Sequence, residues 1–514
     1  MRAALARSLY AAALRLATPL YFARLWWRGR REPMYRQFWG ERLGYGGGDV
    51  PDAPAGRVWL HAVSLGETLA ARPLIEALRT QRPGLRLLLT HGTATGREAG
   101  KALLQPGDAQ AWLPYDTPGA VRRFLRRQRP AVGVLMETEV WPALLHAAQD
   151  TQGTQDTQRG RVTRVTRGTR DTRDTRDTPN TQVTQVTQAG QTTQTARMAR
   201  IQRAAAVPMV LANARLSERS LRKGQRLAAL LRPAVASFRR VLAQTDADAQ
   251  RLLAAGAAPA AVQVQGNLKF DLSPDPALLA RGQAWRDQIH GVDEGQGGHS
   301  AQSGDSGDSG NGGHGGQGGD GGQGRRVVLM ASSREGEEAE LLASWRALRQ
   351  PRPLLLLVPR HPQRFNEVAA LVAASGLSLQ RRSQWAQTPP AEARHADVWL
   401  GDSLGEMPLY YAAADVALLG GSFAPLGGHN LIEAAACACP LVLGPHTFNF
   451  AQAADLSLAA GAAVRADTLA LGVQRAVYLA AAPERENMAR QAQAFTAQHR
   501  GAAARMAAEI LLLL

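Results

Sequence analysis

A glycine-rich segment in the second half of the chain, residues 417–446, carries the residue types of a ligand site. The turn that follows an apolar strand there contains Gly420, Gly421, Gly427 and Gly428. These glycines permit positive φ and close backbone approach, while a helix expected to begin near Asn430 directs free N–H groups at an anion. Glu433, one turn into that helix, is placed to accept hydrogen bonds from sugar hydroxyls. A turn that merely connects a strand to a helix is the alternative.

Polar motifs also follow the apolar strands expected in the first half of the chain. They are residues 61–67, 91–97, 137–142, 213–217 and 266–271. Carboxylates beside Arg, Lys and Ser donors suit the activation of a hydroxyl group next to an anionic sugar. Helix capping is the alternative for each motif alone, since Ser64 with Glu67 matches a capping box and Thr138 is a suitable cap. Five such motifs at successive strand ends favour a functional site.

Alternating strands and helical stretches must position these motifs. The expected strands lie near residues 58–60, 85–90, 111–113, 132–136, 207–211, 327–330, 354–358, 398–400, 416–419 and 441–443. This alternation predicts parallel sheets covered by helices on both faces, and ligands of such sheets bind at the carboxyl ends of the strands. The sequence therefore predicts an α/β protein with two Rossmann-like domains that face each other across a cleft.

The composition restricts the class of protein. With 514 residues and 45% hydrophobic side chains, the chain is long enough for two or three domains with apolar cores. A formal charge of +17 makes nucleic acid, an anionic membrane or a phosphorylated substrate candidate partners. The arginines lack interleaved aromatic platforms, which disfavours nucleic acid. Cys437 and Cys439 lack partners for a disulfide framework or a zinc site, which indicates a reducing cytosol.

The amino terminus is the candidate membrane segment. Residues 3–27 are rich in Ala, Leu, Tyr and Phe, but arginines interrupt the run, so its apolar length is marginal for a spanning helix. Arg7 and Arg15 share a polar stripe, and Trp26 and Trp27 are suitable interfacial anchors. We therefore expect a membrane-anchor helix that either spans the bilayer or lies in its headgroup layer. An ordinary amphipathic helix packed on the domain is the alternative.

Two low-complexity stretches interrupt the pattern of strands and helices. Residues 150–196 repeat units of Thr, Gln, Val, Arg and Asp, and residues 292–324 are almost entirely Gly, Ser, Asp, Gln and His. Neither stretch has the apolar side chains needed to offset the entropy of ordering, so both are predicted to be disordered insertions. His299 and His314 accordingly reflect local composition and are not expected to bind a metal.

Six strings of the sequence together resemble one family. They are residues 61–67, 137–142, 212–217, 266–271, 358–362 and 427–450. They resemble the bacterial 3-deoxy-D-manno-octulosonic acid (Kdo) transferases of lipopolysaccharide synthesis, and the resemblance covers the chain outside the two insertions. It implies the two-domain glycosyltransferase architecture called GT-B. It also implies an inverting, metal-independent transfer of Kdo from CMP-Kdo to lipid IVA, the lipid A precursor.

The resemblance further implies roles for domains and residues. The implied domains are residues 1–31, an anchor with a basic flank, residues 32–271, an acceptor domain, and residues 272–514, a domain that binds CMP-Kdo. Glu67 matches the general base that deprotonates the acceptor hydroxyl, and Glu137 and Lys269 match positions that stabilise the transition state. The CMP site is implied at Pro359, Arg360, Leu404, Gly405, Glu406, Asn430, Leu431, Ile432 and Glu433. No bound metal and no cofactor are implied.

The resemblance also implies the partners and the location of the protein. The partners are CMP-Kdo, the lipid A precursor and inner-membrane lipids, and the location is the cytoplasmic face of the bacterial inner membrane. Two alternatives stay open. A sugar-nucleotide epimerase shares the glycine-rich turn and the helix glutamate but would not need a membrane anchor. A basic scaffold protein would use the Arg-rich segments to hold nucleic acid. Release of CMP from CMP-Kdo in the presence of lipid acceptor distinguishes the transferase from both.

Overall fold

The computed structural model describes residues 2–46, 56–149, 206–291 and 324–514. The two predicted insertions, apart from Gly324, lie outside these ranges, as does the expected resumption of a helix at Ala196. The chain forms two compact units. Unit 1 comprises Met1–Leu268 and Gly501–Leu514, and unit 2 comprises Lys269–Arg500.

Unit 1 is built on a parallel sheet with seven described strands. In chain order they are Val58–His61 (β1), Leu87–His91 (β2), Ala109–Trp112 (β3), Val132–Met136 (β4), Met209–Ala214 (β5), Arg240–Ala243 (β6) and Val262–Val264 (β7). Their spatial order is β3-β2-β1-β4-β5-β6-β7. The register aligns Leu60 of β1 with Leu89 on one side and Val134 on the other.

Helices cover both faces of this sheet because its central strands are apolar and buried on both sides. They are Arg2–Arg28, Trp39–Arg42, Leu65–Gln81, Ala94–Lys101, Pro118–Gln128, Pro142–Gln149, Glu218–Gln225, Ala228–Ala236, Asp246–Ala255 and Ala502–Leu511. Trp59 and its neighbour Leu60 belong to the cores on opposite faces. The Trp59 ring packs edge-on against Phe124, with centroids 5.0 Å apart, and Leu60 shares its cluster with Met506 of the last helix.

The amino-terminal helix Arg2–Arg28 packs on unit 1. Tyr10 donates a hydrogen bond of 2.9 Å to Asp116, and the Phe22 ring lies 5.1 Å from the ring of Trp39. Leu25 is buried in a cluster with Trp112. The sequence predicted a membrane-anchor helix here, but none of the helices in the described ranges is both long and apolar enough to cross a membrane.

Unit 2 repeats the architecture with a second parallel sheet. Its strands are Val327–Ser333 (β8), Leu354–Pro359 (β9), Leu379–Arg381 (β10), Val398–Leu400 (β11), Val416–Leu419 (β12), Leu441–Leu443 (β13) and Ala463–Arg465 (β14). Their order is β10-β11-β9-β8-β12-β13-β14. The helices are Pro276–His290, Glu337–Arg346, Phe365–Ala374, Met407–Ala413, Leu431–Ala436, Ala451–Ala459, Leu469–Ala481 and Glu484–Gln498.

The expected α/β class with two parallel-sheet domains is confirmed, and each predicted strand is present within a few residues of its expected bounds. The structure adds β6, β7, β10 and β14, which lie at or next to the outer edges of the sheets. These strands have three or four residues and several polar side chains, so they lack the long apolar run of a central strand.

The domain boundaries differ from the expected ones at the carboxyl terminus. The sequence assigned residues 501–514 to the second domain, whereas the structure places Gly501–Leu514 in unit 1. The physical reason is the apolar face of the helix Ala502–Leu511, since Met506 and Ile510 are buried in the core formed by β1, β2 and β4. The amino-terminal helix, expected to be a separate anchor, also belongs to unit 1.

Both sheets have a point where the strand order reverses. In unit 1 the first strand, β1, lies between β2 and β4, and in unit 2 the first strand, β8, lies between β9 and β12. Ligands of open parallel sheets bind beside such a point, at the carboxyl ends of the strands. The loops that follow β1 and β4 in unit 1, and β8, β9 and β12 in unit 2, are therefore the candidate site regions.

Candidate active site

Glu67 lies directly after β1, in the first turn of the helix Leu65–Gln81. Its Oε2 accepts a hydrogen bond of 2.8 Å from the backbone N–H of Val63, and the Ser64 hydroxyl accepts a bond of 3.4 Å from the Glu67 N–H. Ser64 is thus the helix cap that the sequence suggested as an alternative role for this motif. The cap holds the Glu67 carboxyl at the strand end, next to the point of strand reversal.

The environment of Glu67 gives its carboxyl a pKa near neutrality. Burial, with a smaller contribution from the nearby charges of Glu137 and Glu139, raises the pKa to about 7 against the opposing effect of the Val63 hydrogen bond. A carboxyl group with such a pKa is partly ionised at neutral pH, and it can take up a proton there. The geometry therefore combines a structural cap with the properties of a general base.

Glu137 follows β4, the neighbour of β1 across the point of strand reversal. Its φ of 56° is left-handed, as is the φ of 51° at Asn213 at the end of β5. Non-glycine residues in this region are strained, and such residues concentrate at functional sites. The Glu137 carboxylate pairs with Arg215, Oε2 to Nε 3.2 Å, and burial raises the pKa of the neighbouring Glu139. Glu67, Glu137 and Glu139 form one acidic cluster.

Asn213 links two of the motifs predicted from the sequence. Its side-chain Oδ1 accepts a hydrogen bond of 3.1 Å from the backbone N–H of Leu268, which precedes Lys269. Asn213 is fully buried, so this bond anchors the start of the segment 266–271 to the end of β5. Lys269 itself belongs to unit 2, where its ammonium lies 4.8 Å from the centre of the Phe450 ring.

The motif at residues 91–97 is structural. Arg97 is buried and forms an ion pair with Glu41, Nη1 to Oε2 2.5 Å, while its guanidinium lies 4.6 Å from the ring of Phe38. His91 and His61 are also buried, and burial lowers the pKa of His61 to about 3, so this imidazole is neutral at physiological pH. These side chains hold the loops after β1 and β2 in place, and they do not join the acidic cluster.

In unit 2 the predicted cation Arg360 follows Pro359, the last residue of β9. The Arg360 N–H donates a hydrogen bond of 3.0 Å to the carbonyl of Ser333 at the end of β8, so the two strand ends are tied together. The side chain is exposed, and within the described part of the chain it forms no ion pair with a carboxylate. Arg360 is thus available to a ligand anion.

The glycine-rich turn after β12 passes very close to the end of β8. A Cβ atom on Gly420 would lie 2.2 Å from the carbonyl oxygen of Ser332, so only glycine fits there. The next residue, Gly421, has a left-handed φ of +68°, a backbone conformation that also favours glycine. This close approach brings the ends of β8 and β12 together at the point where the strand order reverses.

Sequence reasoning missed residues 332–338, which comprise the end of β8 and the loop and helix start that follow it. Ser332 has a left-handed φ of 59°, like the strand-end residues of unit 1. The buried carboxylate of Glu337 accepts 2.9 Å hydrogen bonds from the backbone N–H groups of Gly421 and Arg334 and a longer one from Ala424. One side chain therefore clamps the loop after β8 to the glycine-rich turn. The sequence could have indicated this segment, since ligand-binding residues are expected at the carboxyl end of β8 as at the other strand ends.

Replacing the clamp should destabilise the protein. In Glu337→Ala the buried N–H groups of Gly421 and Arg334 lose their acceptor, and each unsatisfied group costs about 1–3 kcal/mol. We expect the free energy of unfolding to fall by about 2 kcal/mol or more, measured by urea denaturation. Glu340→Ala, an exposed position in the same helix, is the matched control. Equal stabilities of the two variants would show that the clamp is not structural.

The expected helix start at Asn430 is confirmed, but the helix Leu431–Ala436 has only six residues. Leu431 and Ile432 are buried in the core, so they can meet a ligand only through the backbone. The Oδ1 atom of Asn430 is buried without a hydrogen-bond partner among the described residues. Burial raises the pKa of Glu433 to about 6, and Arg360 opposes this shift. Glu433 is therefore mostly ionised above pH 7 and can accept hydrogen bonds.

The turn Leu404–Glu406 has a different organisation from the one predicted. The Glu406 carboxylate is occupied by Arg382, at 2.9 Å from both of its oxygens, by Arg281 and by the hydroxyl of Ser403. Burial alone would raise the pKa of Glu406, but these hydrogen bonds and charges lower it overall. The side chain fixes the turn, while Leu404 is exposed and Gly405, with a φ of +80°, leaves the backbone open to a ligand.

Within the described ranges, no group of three or more His, Cys, Asp or Glu side chains is arranged to hold a metal ion. Asp246 and Asp248 have the spacing of an Asp-x-Asp pair, but they lie in the first turn of the helix Asp246–Ala255. Asp248 pairs there with Arg251 at 2.8 Å. The absence of a bound metal from the reaction stays a prediction.

The amino-acid sequence of the chain is similar to those of several known proteins. A sequence profile described as "3-Deoxy-D-manno-octulosonic-acid transferase (kdotransferase)" matches residues 37–167 and 196–272. A 3-deoxy-D-manno-octulosonic acid transferase of Bordetella pertussis is 42% identical over 511 residues, with 97% of each chain covered. The protein of the same name from Haemophilus influenzae is 29% identical, again over 97% of each chain.

A solved structure, the C-terminal CMP-Kdo binding domain of WaaA from Acinetobacter baumannii, is 34% identical with a TM-score of 0.30. The match covers 33% of this chain and 89% of that one. The full-length relatives confirm the resemblance seen in the strand-end motifs. The chain therefore belongs to the 3-deoxy-D-manno-octulosonic acid (Kdo) transferase family and is a glycosyltransferase.

Proposed function

We propose that this protein transfers Kdo from CMP-Kdo to lipid IVA, the lipid A precursor, in lipopolysaccharide synthesis, with inversion and without a metal ion. The Glu67 carboxyl, held after β1 by the Val63 N–H and the Ser64 cap, is the observation that carries the proposal, and its raised pKa of about 7 suits a base that acts near neutral pH. Its place beside the strand reversal of unit 1 supports the same role. The relatives, which are named as Kdo transferases, support the choice of sugar.

In the proposed step Glu67 removes the proton of the acceptor hydroxyl as the oxygen attacks the anomeric carbon of Kdo. A bond forms between this oxygen and the anomeric carbon, while the bond from the anomeric carbon to the phosphate oxygen breaks. The electron pair of the broken bond leaves with CMP, and the proton stays on Glu67. Attack on the face opposite the leaving group inverts the configuration.

Two further residues are proposed to stabilise the charge that develops in this step. The Lys269 ammonium can neutralise the departing phosphate or the Kdo carboxylate, and Glu137 can offset positive charge on the sugar ring. The left-handed φ of 56° at Glu137 supports a functional role for that position. Both roles are those that the family resemblance implies for these two positions.

Unit 2 is proposed to bind the donor. The exposed guanidinium of Arg360 supplies a cation for the phosphate, and the ionised Glu433 accepts hydrogen bonds from the ribose hydroxyls. The exposed backbone at Leu404 and Gly405 allows the nucleotide to approach closely. Burial of the Leu431 and Ile432 side chains supports contacts through their backbone.

The test is a transfer assay with the purified full-length protein, CMP-Kdo and lipid IVA. We expect CMP release that depends on the acceptor, a lipid product heavier by Kdo, and an unchanged rate after treatment with EDTA. A sugar-nucleotide epimerase would form no lipid product, and a basic scaffold protein would leave both substrates intact. Either of these results would contradict the proposal.

We further propose that the protein contacts the inner membrane through the exposed face of the helix Arg2–Arg28. Leu9, Leu16 and Leu20 are 63%, 79% and 75% exposed, and their spacing of seven and four residues places them on one face. Trp27, seven residues further on, is 68% exposed on the same face. An apolar stripe flanked by arginines is typical of a helix that lies in the headgroup layer.

Replacement of this stripe should release the protein from membranes. In the triple variant Leu9→Glu, Leu16→Glu and Leu20→Glu, carboxylates would have to enter the headgroup layer, so we expect the bound fraction to fall about tenfold or more in vesicle sedimentation. Leu471→Glu, at an exposed leucine of unit 2, is the control. Binding of the triple variant at the level of the wild type would contradict the proposed membrane face.

A further inference from the structure

We propose that Arg334 binds the carboxylate of the transferred sugar and forms, together with Arg360, a two-cation site that recognises an acidic sugar on a nucleoside monophosphate. The inference rests on the proposed function and deepens it, because it assigns a residue to the sugar part of the donor. Arg334 lies outside the motifs that carry the family resemblance.

Arg334 lies at the strand reversal of unit 2. It follows β8, the strand between β9 and β12, and the chain turns there through Ser332 with its left-handed φ of 59°. The carbonyl of Ser333, the residue before Arg334, accepts the 3.0 Å hydrogen bond from the Arg360 N–H. The two arginines therefore follow neighbouring strands at the edge of the sheet where ligands bind.

The loop that carries Arg334 is fixed against the glycine-rich turn. The Glu337 carboxylate accepts 2.9 Å hydrogen bonds from the N–H groups of Arg334 and Gly421. The Arg334 Cγ lies 3.6 Å from the position that a Cβ on Gly421 would take, and the His429 Nε2 lies 3.2 Å from the same position. Arg334 and His429 thus line the same side of the turn, and a pre-formed loop needs little reorganisation on binding.

The two carboxylates at the start of the helix that follows Arg334 do not pair with it. Glu337 is engaged by backbone N–H groups, and Glu338 pairs with Arg364 at 2.7 Å. In the described ranges neither Arg334 nor Arg360 forms an ion pair. Burial, followed by the charges of Arg360 and Arg334, lowers the pKa of His429 to about 4, so this imidazole stays neutral near physiological pH.

A donor with two anionic groups matches this arrangement. The proposed donor carries a phosphodiester and a sugar carboxylate, and planar guanidinium groups bind both well. Arg360 lies close enough to Glu433, the proposed ribose ligand, for its charge to lower the pKa of that carboxyl. Since the phosphate joins the ribose to the sugar, Arg360 is matched to the phosphate and Arg334 to the sugar carboxylate beyond it.

Equilibrium binding of CMP-Kdo and CMP, measured by calorimetry without acceptor, tests the assignment. A charge-assisted hydrogen bond contributes enough for its loss to weaken binding about tenfold or more. We expect Arg334→Gln to raise the Kd for CMP-Kdo by about this factor and to change the Kd for CMP less than about threefold. Arg360→Gln should raise both. Arg346→Gln, an exposed arginine at the end of the helix Glu337–Arg346, should change neither.

Two results would overturn the assignment. Equal weakening of CMP and CMP-Kdo in Arg334→Gln would place Arg334 on the nucleotide, and unchanged binding of both would remove it from the donor site. The binding measurement does not depend on turnover, so it is separate from the test of the reaction. A wild type that binds CMP-Kdo but forms no lipid product would contradict the proposed function and leave the assignment of Arg334 to be judged by the Kd values.

Discussion

Replacing Glu67 with glutamine is expected to cut kcat for Kdo transfer by about a hundredfold or more, because general-base catalysis typically contributes that much. Glutamine is nearly isosteric with glutamate but cannot take the proton of the acceptor hydroxyl. The Kd for CMP-Kdo should stay near the wild-type value, since Glu433 and Arg360, the proposed donor ligands, are unchanged. Initial rates of lipid product formation and calorimetric binding of CMP-Kdo measure the two quantities.

The structural role of Glu67 requires a folding control for this prediction. Its carboxylate accepts the 2.8 Å hydrogen bond from Val63, and the side-chain carbonyl of glutamine can accept the same bond. Glu67→Gln should therefore fold normally. Glu76→Gln, at an exposed position of the same helix, is the matched variant and should keep full activity. A folded Glu67→Gln protein with near-wild-type turnover would leave Glu67 only its role in the helix cap.

The second large effect is expected at Glu433 of unit 2, the proposed ligand of the ribose. Its carboxylate is proposed to accept hydrogen bonds from the ribose hydroxyls, and hydrogen bonds to a charged group contribute about 1.5–3 kcal/mol. Glu433→Gln should therefore raise the Kd for CMP by about tenfold or more while kcat at saturating CMP-Kdo changes less. Calorimetry with CMP gives the first quantity, and the rate at saturation gives the second.

A comparison with 2′-deoxy-CMP shows whether the effect at Glu433 comes from the ribose. The wild type should bind CMP more tightly than 2′-deoxy-CMP, and Glu433→Gln should lose most of this preference, because the hydroxyl has lost its partner. Glu484→Gln, an exposed glutamate of unit 2, should retain the preference. If Glu433→Gln keeps the full preference for CMP, the carboxylate does not contact the 2′-hydroxyl.

The central strands and the residues at their ends could be predicted from the sequence. Val132–Met136 and Val416–Leu419 are continuous apolar runs, and strands buried on both faces require such runs. Once these strands are placed, the polar residues that follow them must lie at one edge of the sheet. The strand-end positions of Glu67, Glu137 and Arg360 are therefore predictable from the sequence alone.

The same reasoning should have identified Arg334. The predicted strand ended near Met330, whereas β8 continues to Ser333, because two serines after an alanine resemble the start of a loop. The register of β8 with β9 includes an irregularity between Ala331 and Ser333, where the left-handed Ser332 lies. A local change of backbone conformation at a serine leaves no apolar signal in the sequence.

Pairings between residues that are distant in sequence could not be predicted. Arg97 was assigned to a candidate site motif, but its partner is Glu41, 56 residues earlier in the chain. Glu406 was assigned to the nucleotide site, but its carboxylate is bound by Arg382, 24 residues away. The sequence shows that these side chains are charged, while only the fold shows whether a charge is neutralised inside the protein or offered to a ligand.

The pH dependence of Kdo transfer tests the role of Glu67 most directly. A base must be ionised to act, so kcat of the wild type at saturating CMP-Kdo should rise about tenfold per pH unit below a pKa of about 7 and level off above it. The residual activity of Glu67→Gln should lack this rise. A wild-type profile that is flat between pH 5 and pH 8, or the same rise in Glu67→Gln, would contradict the account.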